Sequence, residues 1–170
     1  MKRFLGFAIR VIVAHSVTYF LVGAAAYQLL TKTLYEGADP IFARFMRTPA
    51  EPDVWRHVMI WFLPAQVLRG LLMAVALYPF YETLLAWSAK KRFLTLLVVY
   101  LVFGYWACAV AAPGTIDGLV YMRPEFTPRA HLLVQPEIIL QGAAMAAWVA
   151  RWMGRKATEP IASRTGSGSS

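Results

Sequence analysis

His57-Val-Met-Ile-Trp-Phe-Leu-Pro64-Ala-Gln66-Val-Leu-Arg69-Gly-Leu-Leu-Met-Ala-Val-Ala-Leu-Tyr-Pro79-Phe-Tyr-Glu82 decides how this chain must be housed. The stretch is apolar enough to cross a bilayer, yet it carries a charge, Arg69, near its middle. An arginine at that depth costs roughly 2.5–3.5 kcal/mol on insertion scales, so it needs a partner or a wet cavity. Any role inside a membrane is expected to involve this residue. The apolar run around it covers 54–89, about 54 Å as a straight helix against a hydrocarbon core of about 30 Å. One straight span does not fit. Pro64 and Pro79, each lacking a backbone donor, are the expected kink or break points. A span over 55–78 follows, with an extension to 89 along the cytoplasmic interface, where Tyr81 and Trp87 suit the headgroup layer. Asp53 is the candidate N-cap.

The composition agrees with a membrane class. Of 170 residues, 59% are hydrophobic and only 15% charged, well below the roughly 25% usual in soluble domains. Mean hydropathy is +0.51. The formal charge of +8 raises nucleic acid as a partner, but the basic residues sit at the ends of apolar runs, which is a topology signal. They form no basic stripe with interleaved aromatics, so no nucleic-acid partner is expected. Cys108 is the lone cysteine and reads as a small packing residue.

Outward from this stretch, the first apolar run covers 4–30, with Arg10 close enough to the inner surface to snorkel. A cleaved signal peptide is the rival reading of 1–26, with Lys2 and Arg3 as its basic end and Ala24-Ala-Ala as its cleavage site. Arg10, His15, Ser16 and Thr18 are polar interruptions of the apolar core such a signal would need. Residues 32–53 form a proline-punctuated loop with a short amphipathic turn at Ile41-Phe-Ala-Arg-Phe-Met. Lys90-Lys-Arg92 marks a tight inner turn before a third span over 93–112. Gly104, Cys108 and Ala112 make a small-residue stripe on that span, and Gly142, Ala146 and Ala150 another on a fourth span over 133–152. Pro136 suits the first turn of that last helix. Pro113-Gly-Thr-Ile-Asp117-Gly lacks the lysine of a phosphate-binding loop and reads as a turn. From Ala157 onward the chain cannot bury a core and is expected to be a disordered cytoplasmic tail.

The expected fold is therefore all-α: one membrane domain over 1–156, a polytopic bundle of four transmembrane helices in a bacterial-type inner membrane. Lys2, Arg3, Arg10, Lys90, Lys91, Arg92, Arg151, Arg155, Lys156 and Arg164 place both termini in the cytoplasm. The outer side holds Lys32, Arg44, Arg47, Arg56, Arg123 and Arg129, matched by Glu36, Asp39, Glu51, Asp53, Asp117 and Glu125.

With that topology, Arg69 lies about 16 Å below the outer end and His15 about 15 Å above the inner one, in one layer. Gln66 shares a helix face with Arg69, and Gln141 shares one with Glu137. The expected site is a polar cluster of Arg69, Gln66, Glu137, Gln141 and His15, with Arg69 paired to Glu137, serving either as a structural clamp that docks the second and fourth spans or as a ligand-binding site. Glu137 would be favoured by the dipole of a helix beginning near Pro136. Glu82, about 20 Å further along the helix from Arg69, belongs to the inner interface. Asp117 and Arg123, with Glu125 and Arg129, are candidates for a cap over the outer end. His57 and His131 lie at the outer surface, at a different depth from His15, so neither haem nor metal is expected and no cofactor is called for.

No nucleophile motif, HExxH or acidic metal-binding pair is present. Two functions follow from different classes. One is an accessory or partner-binding membrane subunit, whose partner is another membrane protein or a second copy of the chain. The other is a small carrier or ligand-binding protein for an anionic or polar small molecule or an anionic lipid, using the Arg69 cluster. A lipid-modifying enzyme stands third.

Overall fold

This computed structural model describes residues 2–44, 46–108, 112–116, 118 and 127–157. Among them there is no strand. The helices are α1 (Lys2–Ala26), α2 (Lys32–Tyr35), α3 (Pro52–Leu77), α4 (Tyr81–Ala86), α5 (Ala89–Leu101) and α6 (Thr127–Ala157). A π-helical turn, Tyr27–Thr31, joins α1 to α2, and a second, Val102–Trp106, follows α5. Three helical stretches are long and apolar enough to cross a membrane: Lys2–Tyr35, Pro52–Ala86 and Arg129–Gly154.

The core follows helical spacing. Phe7, Ala8, Val11, Ala14, His15 and Thr18 recur every three or four residues on α1, and all are buried. That helix packs against both α3 and α6, and α6 packs in turn against α5. A chain cleaved after Ala26 would lose the helix on which α3 rests. Only Gln66, Gly70 and Ala74 of α3 are buried, one residue per turn. A Cβ added at Gly70 would lie 2.7 Å from the Ile12 Cα, so the two backbones cross at near contact. The Gly142, Ala146 and Ala150 stripe of α6 is buried too, with Leu101 and Tyr100 of α5 against Gly142.

Several expected boundaries shift. Glu51, not Asp53, is the N-cap of α3, because Pro52 takes the first helical position and Asp53 falls in the first turn. Pro64 lies within the unbroken helix, while Pro79 ends it in a single tight turn, Tyr78–Phe80. The start of α6 is Thr127, nine residues before Pro136, which therefore lies inside the helix. Glu137 is thus well into α6, and the expected help from a helix N-terminus does not apply. The third apolar run is α-helical only to Leu101, and its π turn carries Gly104 outward, with no atom within 4 Å of an added Cβ. Gly104, Cys108 and Ala112 consequently form no packing stripe. The Pro113-Gly turn is present, with Gly114 at φ +93, where only glycine is comfortable. The expected tail over 157–170 lies outside the described residues apart from Ala157, the last residue of α6.

At the end of the bundle that holds the N-terminus, Phe4 meets Tyr78 edge-on at 5.0 Å, Phe7 meets Tyr81 at 5.2 Å, and Arg3 bridges to Glu82 at 3.3 Å. Glu82 thus pairs with Arg3 and not with Arg69. Arg92 is the unexpected element. Read in the sequence as one of three topological charges, it is only 2% exposed. Its Nε donates to Leu84 O at 2.6 Å, Nη1 to Ala150 O at 2.7 Å, and Nη2 to Trp87 O at 2.9 Å and Leu85 O at 3.3 Å. One guanidinium thus caps the end of α4, where carbonyls lack intrahelical partners, and ties it to α6. Lys90 and Lys91 remain exposed. At the opposite end of the bundle Leu34, Ile41, Phe42 and Ala130 form a second small core.

Candidate functional site

The middle of the bundle holds a chain of polar groups borne on four helices. His15, wholly buried on α1, presents Nε2 to Gln66 Oε1 of α3 at 3.1 Å and Nδ1 to the Tyr100 hydroxyl of α5 at 3.4 Å. The Nε2–H tautomer satisfies both contacts: the ring donates to Gln66 and accepts from Tyr100. One imidazole thereby links three helices. A double-mutant cycle on His15→Ala and Gln66→Ala should give a coupling energy of about 0.5–1.5 kcal/mol. Additive losses would show that this bond contributes nothing to stability.

Arg69 lies one turn further along α3, half-buried, with its guanidinium carbon 5.6 Å from the centre of the Tyr19 ring. It also acts on the Tyr19 hydroxyl. The Tyr19 ring is 5.8 Å from His15 on one contact and 5.8 Å from Phe62 on another. Glu137 of α6 acts electrostatically on the same Tyr19 hydroxyl, and on Tyr35 and Tyr105. The expected direct pair of Arg69 with Glu137 is not formed: among the described residues the ion pairs are Arg3–Glu82 and Arg44–Asp39. Both charges bear on Tyr19 instead. Nor do the two amides serve that pair, since Gln66 is engaged by His15 and Gln141 Oε1 accepts from the Tyr105 hydroxyl at 3.2 Å. Gln141, 1% exposed, is left with its Nε2 unpartnered among the described residues.

The cluster read from the sequence is thus drawn into one neighbourhood, but its connecting members are tyrosines: Tyr19, Tyr35, Tyr100 and Tyr105. A signal for them exists. A tyrosine inside an apolar span has a hydroxyl that must find a partner, and Tyr19 is one helical turn from His15. Their association with one another depends on how the helices cross.

Beside the cluster, near the outer end, lies a groove of about 360 Å³. Tyr19, Tyr27, Tyr35, Trp55, Phe62 and Glu137 are among the residues that line it. A wider opening of about 740 Å³ shares Tyr19, Tyr35, Trp55, Val58 and Phe62 with it and reaches Arg47 and Glu51. The Glu137 carboxylate accepts no hydrogen bond and makes no ion pair among the described residues, and Gly23 leaves space next to it.

The outer cap expected from Asp117 and Arg123 lies outside the described residues. Arg129 of α6 donates to Thr33 at 3.1 Å. His131 is buried, with Nδ1 accepting from the Gly114 backbone N–H at 3.1 Å, whereas His57 is exposed on α3 beside Trp61. Among the described residues no three His, Cys, Asp or Glu side chains are grouped to hold a metal ion. In comparisons with known proteins, no family model, curated protein or solved structure matches the chain.

Proposed function

We propose that the protein is a small ligand-binding or carrier protein of a bacterial-type inner membrane, taking a polar or charged small molecule or lipid headgroup into the outer groove. The observation that carries this is the state of Glu137. A closed, dry pair with Arg69 would have argued for a clamp between helices. Instead the carboxylate is unpaired among the described residues, half-buried, and open to a groove of small-ligand dimensions. A carboxylate in such a place is costly unless something completes its surroundings.

In this reading the chain crosses the bilayer four times with both ends in the cytoplasm. The crossing added to the three long apolar helices, third in chain order, is α5 with its π turn, and the exposed Lys90 and Lys91 mark the inner turn. The groove then faces the outer side, and Arg69, Gln66 and His15 form the layer beneath it. No cofactor is part of this proposal.

The second reading, an accessory subunit with a membrane-protein partner or a second copy, is favoured by α3. That helix leaves Met59, Ile60, Trp61, Leu63, Leu68 and Leu72 exposed along its length. Lipid alone would also cover such a face, so it discriminates less than the groove does.

Thermal unfolding of the purified protein in maltoside, against carboxylates, phosphates and amines, separates the two. A ligand held in the groove stabilises by about 2.7 kcal/mol at a hundred times its Kd. At least one class is expected to raise the Tm, with the rise abolished by Tyr19→Ala combined with Glu137→Ala. No response from any class, together with a stoichiometric co-purifying polypeptide, would favour the accessory role instead.

A further inference from the structure

We infer that the outer groove selects an organic cation, an ammonium-type headgroup bearing an apolar substituent, held between the Glu137 carboxylate and the surrounding aromatic rings. The inference rests on the ligand-binding proposal above and names the chemistry of its ligand. Among the described residues Glu137 is the sole charged side chain lining the groove, and it has no partner of its own. An anion entering the groove would meet that carboxylate with no cation among the described lining residues to offset it.

The walls supply the second half of the recognition. The faces of Tyr, Trp and Phe attract cations, and several rings at differing angles can surround an onium group that cannot donate hydrogen bonds. Here Tyr27 and Tyr35 meet at 5.5 Å with planes 69° apart, while Tyr19 and Phe62 meet at 5.8 Å and 47°. Trp55 completes the lining from α3. Tyr27 is held in place because its hydroxyl donates to Glu36, which brings a second carboxylate to the edge of the groove. Glu51 and Arg47 offset one another at the wider opening. Arg69 opposes a cation, but it is not among the groove's lining residues, and its guanidinium faces the Tyr19 ring. The acids Glu36 and Glu137 therefore outweigh it at the site itself.

The test uses the full chain in dodecyl maltoside, with indole-15N tryptophan and the Trp55 signal assigned by its loss in Trp55→Phe. Tetrapropylammonium, hexanoate and hexanamide serve as cationic, anionic and neutral probes. Tetrapropylammonium is expected to shift the Trp55 signal saturably, with at least tenfold weaker binding in Glu137→Gln. Tyr35→Leu, which leaves the carboxylate in place, should weaken it by about threefold to tenfold. Equal cation binding in Glu137→Gln and the native chain overturns the inference. A response to hexanoate or hexanamide but not to the cation also overturns it and leaves the ligand-binding proposal standing. No Trp55 response to any of the three removes both. Added phosphatidylcholine that competes with tetrapropylammonium identifies the source as a lipid headgroup, and competition by free choline alone identifies a soluble cation.

Discussion

Arg92→Ala is expected to destabilise the bundle by about 3–5 kcal/mol, the largest loss of any single substitution considered. Four backbone carbonyls receive its guanidinium, three at the end of α4 and one, from Ala150, in α6. Removing the side chain leaves those acceptors without a donor in a place that water reaches poorly, and each orphan costs about 1–3 kcal/mol when fully buried. Arg92→Lys should recover less than half of the loss. An ammonium is a point donor and cannot reach carbonyls that the planar fork spans. Lys90→Ala and Lys91→Ala, at exposed positions, should each change stability by less than about 0.5 kcal/mol. Unfolding in mixed micelles of maltoside and dodecyl sulfate reads all four. Should Arg92→Ala unfold no more readily than Lys91→Ala, the clamp between α4 and α6 is not formed.

Gly70→Ala should lower stability by about 1–3 kcal/mol, although alanine is the better helix former by about 1 kcal/mol. The new methyl would lie 2.7 Å from the Ile12 Cα, and a backbone atom cannot rotate away as a side chain can. The helices must separate, which also draws Gln66, one turn along, from His15. Gly142→Ala provides the contrast. There the nearest atom, at 2.8 Å, is the Leu101 Cδ2, the tip of a side chain with other rotamers available. Its net effect should stay within about 1 kcal/mol of zero. Comparable losses at the two glycines, or a Tm raised by Gly70→Ala, would contradict the close crossing of α1 and α3.

These two cases also show what could be read in the linear chain. The Gly142, Ala146 and Ala150 stripe was legible because small residues at four-residue spacing permit close approach wherever they face a neighbour. The same spacing at Gly104, Cys108 and Ala112 misled, since the backbone there leaves α-helical geometry at Val102 and spacing loses its meaning. Gly70 and Ala74 have the same four-residue spacing and are buried against α1 beside the half-buried Arg69.

Pro136 illustrates the complementary failure. Proline at a helix start is the common case, yet α6 runs through it from Thr127, because packing against α1 and α5 offsets one lost hydrogen bond. That placement removed the helix-end explanation for Glu137 and left its carboxylate as a group in search of a partner.

Hydropathy and charge placement alone dictate the class of this protein: long apolar helices with basic residues at their ends, an all-α chain built for a bilayer. They do so because burying apolar surface and keeping backbone groups hydrogen-bonded leaves lipid-immersed chain few other options. Which charge became a clamp and which carboxylate stayed open was decided only when the helices packed. Arg92 and Lys91 are adjacent basic residues in the same short charge cluster, and what separates their roles is that carbonyls near the end of α4 and from α6 converge on Arg92. Arg69 and Glu137 are 68 positions apart, and the crossing of the helices set Arg69 over the Tyr19 ring and Glu137 in the lining of the groove. Interactions between distant segments depend on ångström-scale geometry, and no periodicity along the chain encodes it.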